Sequence, residues 1–212
     1  MSQGAAEQRR KYRSPLREAQ AGQTRRAILA AASQLFAEHG WGGTGMRGVA
    51  RAARVSVETV YANFGSKSEL LKQALDVAVV GDDEPVPLSE RPVFRALAEG
   101  DLAARAQAAG HLLATMHRRT APLQRVLQQA APSDPDLTAL LRRGHATERM
   151  SVHQGVRAVA QREVTETEVD AMFAVFGTDV FLLLTETCGW TDEAYKSWVA
   201  TTVVRLLNLP GE

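Results

Sequence analysis

The stretch Thr44–Leu71, TGMRGVARAARVSVETVYANFGSKSELL, decides the reading of this chain. Val49, Ala50 and Ala53 recur at helical spacing, and after a short gap Val57, Val60 and Phe64 do so again. Thr44 is expected to cap the first helix and Ser56 the second, each offering a hydroxyl oxygen to amides that lack an intrahelical partner. Ser66 then caps the next helix, and Glu69, three positions on, completes a capping box. Two helices joined by so few residues cross steeply. That leaves one face of the second free to enter a DNA major groove.

The run Ala53-Arg54-Val55-Ser56, followed by Thr59, Tyr61, Phe64, Lys67 and Leu70-Leu71, resembles the signature of the TetR family of one-component bacterial repressors. The likeness is specific over residues 24–71 and is one of architecture beyond them. Two positions depart from the pattern. Arg54 stands where the family has its turn glycine, at a cost of about 1–2 kcal/mol for a side chain in a left-handed turn. Asn63 stands where the family has a histidine. The resemblance implies an all-α fold, with an N-terminal three-helix helix-turn-helix DNA-binding head followed by a helical ligand-binding and dimerisation body. It further implies a double-stranded DNA operator, a small-molecule effector bound in the body, and a homodimer through the last two helices, packed as a four-helix bundle.

Base reading falls to the outward face of Val57–Phe64. Glu58 can accept from a cytosine amino group, Asn63 can pair with adenine or hold a phosphate, and Val57 and Ala62 offer apolar contact to a thymine methyl. Arg47, on the preceding helix, can reach guanine, as an arginine at this place does in TetR-like repressors. Thr44, Thr59, Tyr61 and Lys67 are expected on phosphates, which fixes position without reading sequence. A two-fold dimer needs half-sites in matching helical phase, so the operator should be an inverted repeat.

Bulk composition is that of a globular chain. With 45% hydrophobic and 23% charged residues in 212, a buried core is available and global disorder is excluded. No apolar run reaches the ~18–20 residues a bilayer span needs, and the N-terminus has no signal-peptide centre. The single cysteine, Cys188, excludes an internal disulfide and suits a reducing compartment, so a cytoplasmic location is expected. The net charge of +1 hides an asymmetry: residues 1–80 carry twelve Lys/Arg against six Asp/Glu, and residues 81–212 thirteen against eighteen. A basic first part on an acidic remainder fits a protein with one end facing a polyanion.

In chain order, residues 1–22 hold Arg9, Arg10, Lys11, Arg13 and Arg17 without apolar periodicity. They read either as a disordered basic leader or as an arm reaching phosphates or a minor groove. The DNA-binding domain is placed at 23–80, with a first helix from Thr24 to His39-Gly40 and a last one from Ser66 to Val80. Residues 81–87, GDDEPVP, break the helical pattern, and the body is placed at 88–212. Its expected helices cover about Leu88–Glu99, a segment from Gly100-Asp101 that Pro122 bends or ends, and a long segment through Val159. Thr165 and Glu168 form a second capping box ahead of a strongly apolar helix, Val169–Thr187, and Thr191 opens the last helix, through Leu207. The Val169–Thr187 segment is apolar on more faces than one intramolecular contact covers, which independently suits a dimer.

Candidate effector-pocket residues are Phe94, Leu112, Met116, His117, His145, Met150, Phe173 and Phe176, for an apolar ligand with a few polar groups. Residues of each of these types are more often ordinary core or surface. No histidine makes an i, i+4 pair, and no nucleophile motif, P-loop or dinucleotide fingerprint is present. No enzyme activity, metal or cofactor is therefore expected. Cys188 reads as inert core or as a redox-sensing thiol. A helical protein-interaction module that keeps the head without specific DNA binding is the alternative.

Overall fold

The computed structural model describes residues 15–208, and every regular element among them is helical. The head holds α1 (Pro15–Gly43), α2 (Met46–Ala52), α3 (Val57–Phe64) and α4 (Lys67–Val80). The body holds α5 (Pro92–Arg95), α6 (Leu102–Ala130), α7 (Pro135–Ala160), α8 (Glu166–Val175), α9 (Thr178–Leu182) and α10 (Asp192–Leu207). No helix among the described residues is long and apolar enough to cross a membrane.

The first helix starts at Pro15, ahead of the expected Thr24. Proline suits a first helical position, and the Leu, Arg, Glu, Ala and Gln that follow are good helix formers. Because its one leucine begins no apolar repeat, periodicity alone does not register this turn. The expectations for Arg9, Arg10, Lys11 and Arg13 lie outside the described residues, as does the side chain of Arg17. Gly40 breaks the helix where glycine was expected to end it, at φ 66° and ψ −171°.

Two further elements differ from the sequence reading. The helix α6 does not end at Pro122 but continues through it; Pro122 is exposed, while its neighbours Ala121 and Leu123 are buried. Proline deletes one ladder bond there, and burial on both sides outweighs the loss. The expected single helix Val169–Thr187 is instead interrupted. Gly177 is extended (φ −65°, ψ 159°) between α8 and α9, and a π-turn occupies Leu183–Thr187. The capping box ahead of α8 forms as expected: Thr165 Oγ1 accepts from the Glu168 amide, and the Glu168 carboxylate accepts from the Thr165 amide at 2.8 Å.

Two hydrophobic cores share α6. The first joins Ile28, Phe36, Val49, Val60, Phe64, Leu70 and Leu71 of the head to Leu123, Val126, Leu127, Leu137 and Leu140 of the body. The second joins Leu97, Ala106, Leu112 and Ala121 to Val156, Met172, Phe176, Phe181, Tyr195, Val199 and Val203. The chain leaves helical conformation after Val80, as the 81–87 stretch predicts, yet the packing does not divide there. Across that connector Arg91 forks onto Asp82 at 2.6 and 2.8 Å.

Candidate nucleic-acid interface

Ser56 starts α3 as its sequence position predicts, its Oγ accepting from the Thr59 amide at 3.1 Å. Arg54 sits at φ 57° in the preceding turn, whose amides return to the end of α2: Arg54 N–H donates to Arg51 O at 3.2 Å and Val55 N–H to Ala50 O at 3.0 Å. This tight return sets α3 across α2. Val60 and Phe64 are buried, so α3 is fixed by one face. On the other face Glu58, Tyr61, Ala62 and Asn63 are exposed, Tyr61 by 52%, with Val57 and Thr59 half-buried beside them. On α2, Met46, Val49 and Ala50 point inward and leave Arg47 exposed.

Electrostatically the face is mixed. Glu58 is fully exposed, and its own backbone amide, with the Ser56 hydroxyl, holds its carboxyl below the usual range. It is therefore a charged acceptor on an otherwise basic head. The Asn63 Nδ2 donates to Thr59 O at 2.7 Å, so its amide is folded back on the helix and must rotate before it can pair with a base. Sequence reasoning missed Arg51, which is exposed one helical turn after Arg47 on the same side of α2. The i, i+4 spacing was the available signal.

Two expectations about helix ends need correction. Thr44 does not cap α2. Its side chain is 3% exposed and its hydroxyl donates to Leu35 O at 2.9 Å, which ties the α1–α2 elbow, while Gly45 takes the N-cap position without a side-chain bond. A phosphate cannot reach it. Ser66 does cap α4, accepting from the Glu69 amide at 3.1 Å, but Glu69 does not reciprocate and accepts from Gln73 Nε2 at 2.7 Å instead. Lys67, expected on a phosphate, is half-buried. Its Nζ donates to Trp41 O and lies 3.9 Å from the Trp41 ring centroid. Burial pushes its pKa down, and the Asp134 carboxylate works against that shift. Trp41 in turn stacks on Phe36, with ring centroids 5.9 Å apart.

Of the candidate effector residues, Leu112 and Phe176 share one core and Phe94 packs against it. Leu112, His117 and Phe176 are buried, Phe94, Met116 and Phe173 half-buried, and His145 and Met150 exposed, Met150 by 60%. His117 sits in an aromatic cluster, its Nδ1 3.1 Å from the Tyr195 hydroxyl and its ring 5.3 Å from that of Phe181. Burial lowers its pKa to about 4 and raises that of Tyr195. His145 meets only Phe173, edge-on at 6.4 Å. A hollow of about 550 Å³ opens at the end of α7, lined by polar Gln154, Arg157, Gln161, Arg162 and Glu163 with two alanines. Cys188 is exposed, which removes its reading as core.

Comparison with known proteins places these features. Residues 28–74 match the model of the bacterial regulatory proteins, tetR family. The chain is 29% identical over 153 residues to the HTH-type transcriptional repressor Rv3405c of Mycobacterium tuberculosis, covering 69% of this chain and 78% of that protein. Its fold is similar to that of NalD, the secondary repressor of the MexAB-OprM multidrug efflux pump in Pseudomonas aeruginosa, with a TM-score of 0.62 and 19% identity, covering 88% of this chain and 96% of that one. It is also similar to the multidrug binding protein EbrR complexed with imidazole, with a TM-score of 0.57 and 21% identity over 88% of this chain and 96% of that one. Residues 28–74 therefore carry a tetR-family DNA-binding segment, and the chain is a DNA-binding transcriptional regulator rather than an enzyme.

Proposed function

We propose that this regulator is a repressor that holds an inverted-repeat operator as a homodimer and leaves it when a small molecule binds the body. The observation that carries the reading is the free outer face of α3, where Glu58, Tyr61, Ala62 and Asn63 are exposed while Val60 and Phe64 anchor the helix. A helix presented in this way fits a major groove. Glu58 then accepts from cytosine, Asn63 pairs with adenine after rotating, and Val57 with Ala62 meets a thymine methyl. Arg47 and Arg51 flank them on α2, with Thr59 and Tyr61 on the phosphates. The similarity to repressors supports the sign of regulation, and the cytoplasm is the compartment in which such a protein meets its operator.

Dimerisation through α8–α10 is supported by apolar surface left over in the single chain. Leu183 is 53% exposed, and Val180, Leu184, Val204 and Leu206 are only half-buried. An effector is supported by the fold shared with a multidrug binding protein. The ligand then stabilises an opened arrangement of the body, and its differential affinity for that arrangement is what releases DNA.

Selection of DNA from a random pool by the purified protein tests the reading. The expected result is an inverted repeat whose retardation weakens steeply with salt, with base preference altered by Glu58→Ala and by Arg47→Ala. Failure of the wild-type protein to enrich any sequence sinks the proposal, and so does a stable monomer in sedimentation.

A further inference from the structure

We infer that Arg119 of α6 is the positioning residue through which the body sets the tilt of the head, and hence the half-site spacing the protein accepts. Its DNA consequence rests on the dimeric, inverted-repeat reading above; its structural part does not.

The helix α4 is the last helix of the head and ends at Val80, with Gly81 left-handed at φ 96°. The final carbonyls of a helix have no partner within it. The Gly81 amide takes Val77 O at 2.7 Å. The next two carbonyls are taken from outside the head: Arg119 Nε donates to Ala78 O at 2.8 Å and Nη2 to Val79 O at 3.0 Å. One planar fork thus spans two successive peptide groups, a geometry that a lysine ammonium does not reproduce. The guanidinium charge also stands at the negative end of the α4 dipole.

The surroundings are shaped for this contact. The φ of 96° favours glycine at position 81, and a Cβ built there would lie 2.9 Å from Arg119 Nη1 and displace the fork. Burial, and Arg91 nearby, work against the charge of Arg119, and Asp82, next in sequence, offsets part of this while holding Arg91 directly. On the same part of α6, Arg118 pairs with Asp192 at the start of α10, and Arg125 with Glu186 of the π-turn at 2.5 Å. The segment that holds the end of α4 is therefore itself clamped to the elements proposed to form the dimer.

Apolar burial between α4 and α6 is non-directional in itself, whereas two hydrogen bonds to neighbouring carbonyls add a directional restraint at the Gly81 end. The lever is long. A helix of 14 residues spans about 21 Å, so a tilt of about 10° at the Gly81 end carries the other end through about 4 Å, close to one base-pair step.

The test uses Arg119→Met, which keeps the stem and loses the donors, and Gly81→Ala, which crowds the fork from the other side. Spin labels at Ala62→Cys and Gln107→Cys, in a Cys188→Ser background diluted with unlabelled chain, report the head-to-body distance without DNA. Both variants should broaden that distribution while circular dichroism stays unchanged. An unbroadened distribution in Arg119→Met overturns the inference. In parallel, operators with identical half-sites and stepped spacers are titrated with unlabelled proteins. The wild type should discriminate between spacers, and Arg119→Met should reduce that discrimination about fivefold, with half-site base preference intact. An unchanged spacer profile in a folded Arg119→Met dimer overturns the specificity role. A wild type indifferent to spacing rejects the inverted-repeat reading and the spacing role with it, while the spin labels still decide whether Arg119 sets the head.

Discussion

Arg54 holds the α2–α3 turn at φ 57°, where a side chain costs about 1–2 kcal/mol, and glycine gives back part of that as backbone entropy. Arg54→Gly is therefore expected to stabilise the protein by about 0.5–1 kcal/mol, seen as a higher urea midpoint at unchanged slope. Lys67 gives the opposite expectation. With Nζ over the Trp41 ring and bonded to its carbonyl, Lys67→Met should cost about 1 kcal/mol and lower Tm by roughly 2–4 °C. A lysine that served only phosphates would leave Tm where it is. These two residues also mark how far the sequence could be read at this scale. Arg54 was legible because backbone chirality is local, and Ser56 because a cap bonds within three residues. The roles of Lys67 and Thr44 were not, because their partners, Trp41 and Leu35, lie 26 and 9 residues away.

Among elements, α6, α9 and α10 meet at a buried histidine. His117 has a folded pKa of about 4 against an ordinary 6.5. Between those values the unfolded chain binds a proton that the folded chain excludes, so stability is lost as the pH falls through that window, by about 3 kcal/mol at its lower end. Below it both states are protonated and this loss levels off. His117→Asn, which gains no proton, should flatten the fall in urea midpoint between pH 6.5 and 4.5, whatever its stability at neutral pH. An acid limb as steep as that of the wild type would show that the histidine is not the group titrating. Helix existence in this region was legible from three- and four-residue periodicity, and the Thr165–Glu168 box from spacing alone. The continuity of α6 through Pro122 and the interruption at Gly177 were not, since both depend on what packs around them.

For the whole molecule, the all-helical order of head and body could be read from one chain, because apolar periodicity and the family signature both report on it. Association was indicated only as surplus hydrophobicity. That surplus now has an address at Leu183, 53% exposed beside half-buried Val180 and Leu184. Leu183→Glu should keep its helical circular dichroism and sediment as a monomer, with retardation of operator DNA lost. A dimer of undiminished affinity in this variant would move the interface elsewhere.

The sharing of α6 between two cores bears on how such regulators can be rebuilt or recombined. Cutting at the irregular connector would strip Leu123, Val126, Leu127, Leu137 and Leu140 from beneath Ile28, Leu70 and Leu71, leaving an excised N-terminal fragment with a bare apolar underside. A chimera that grafts this head onto a foreign body has to carry the second half of α6 and the first turns of α7 along with it. The unit of inheritance in this chain is thus longer than the unit that touches the genome.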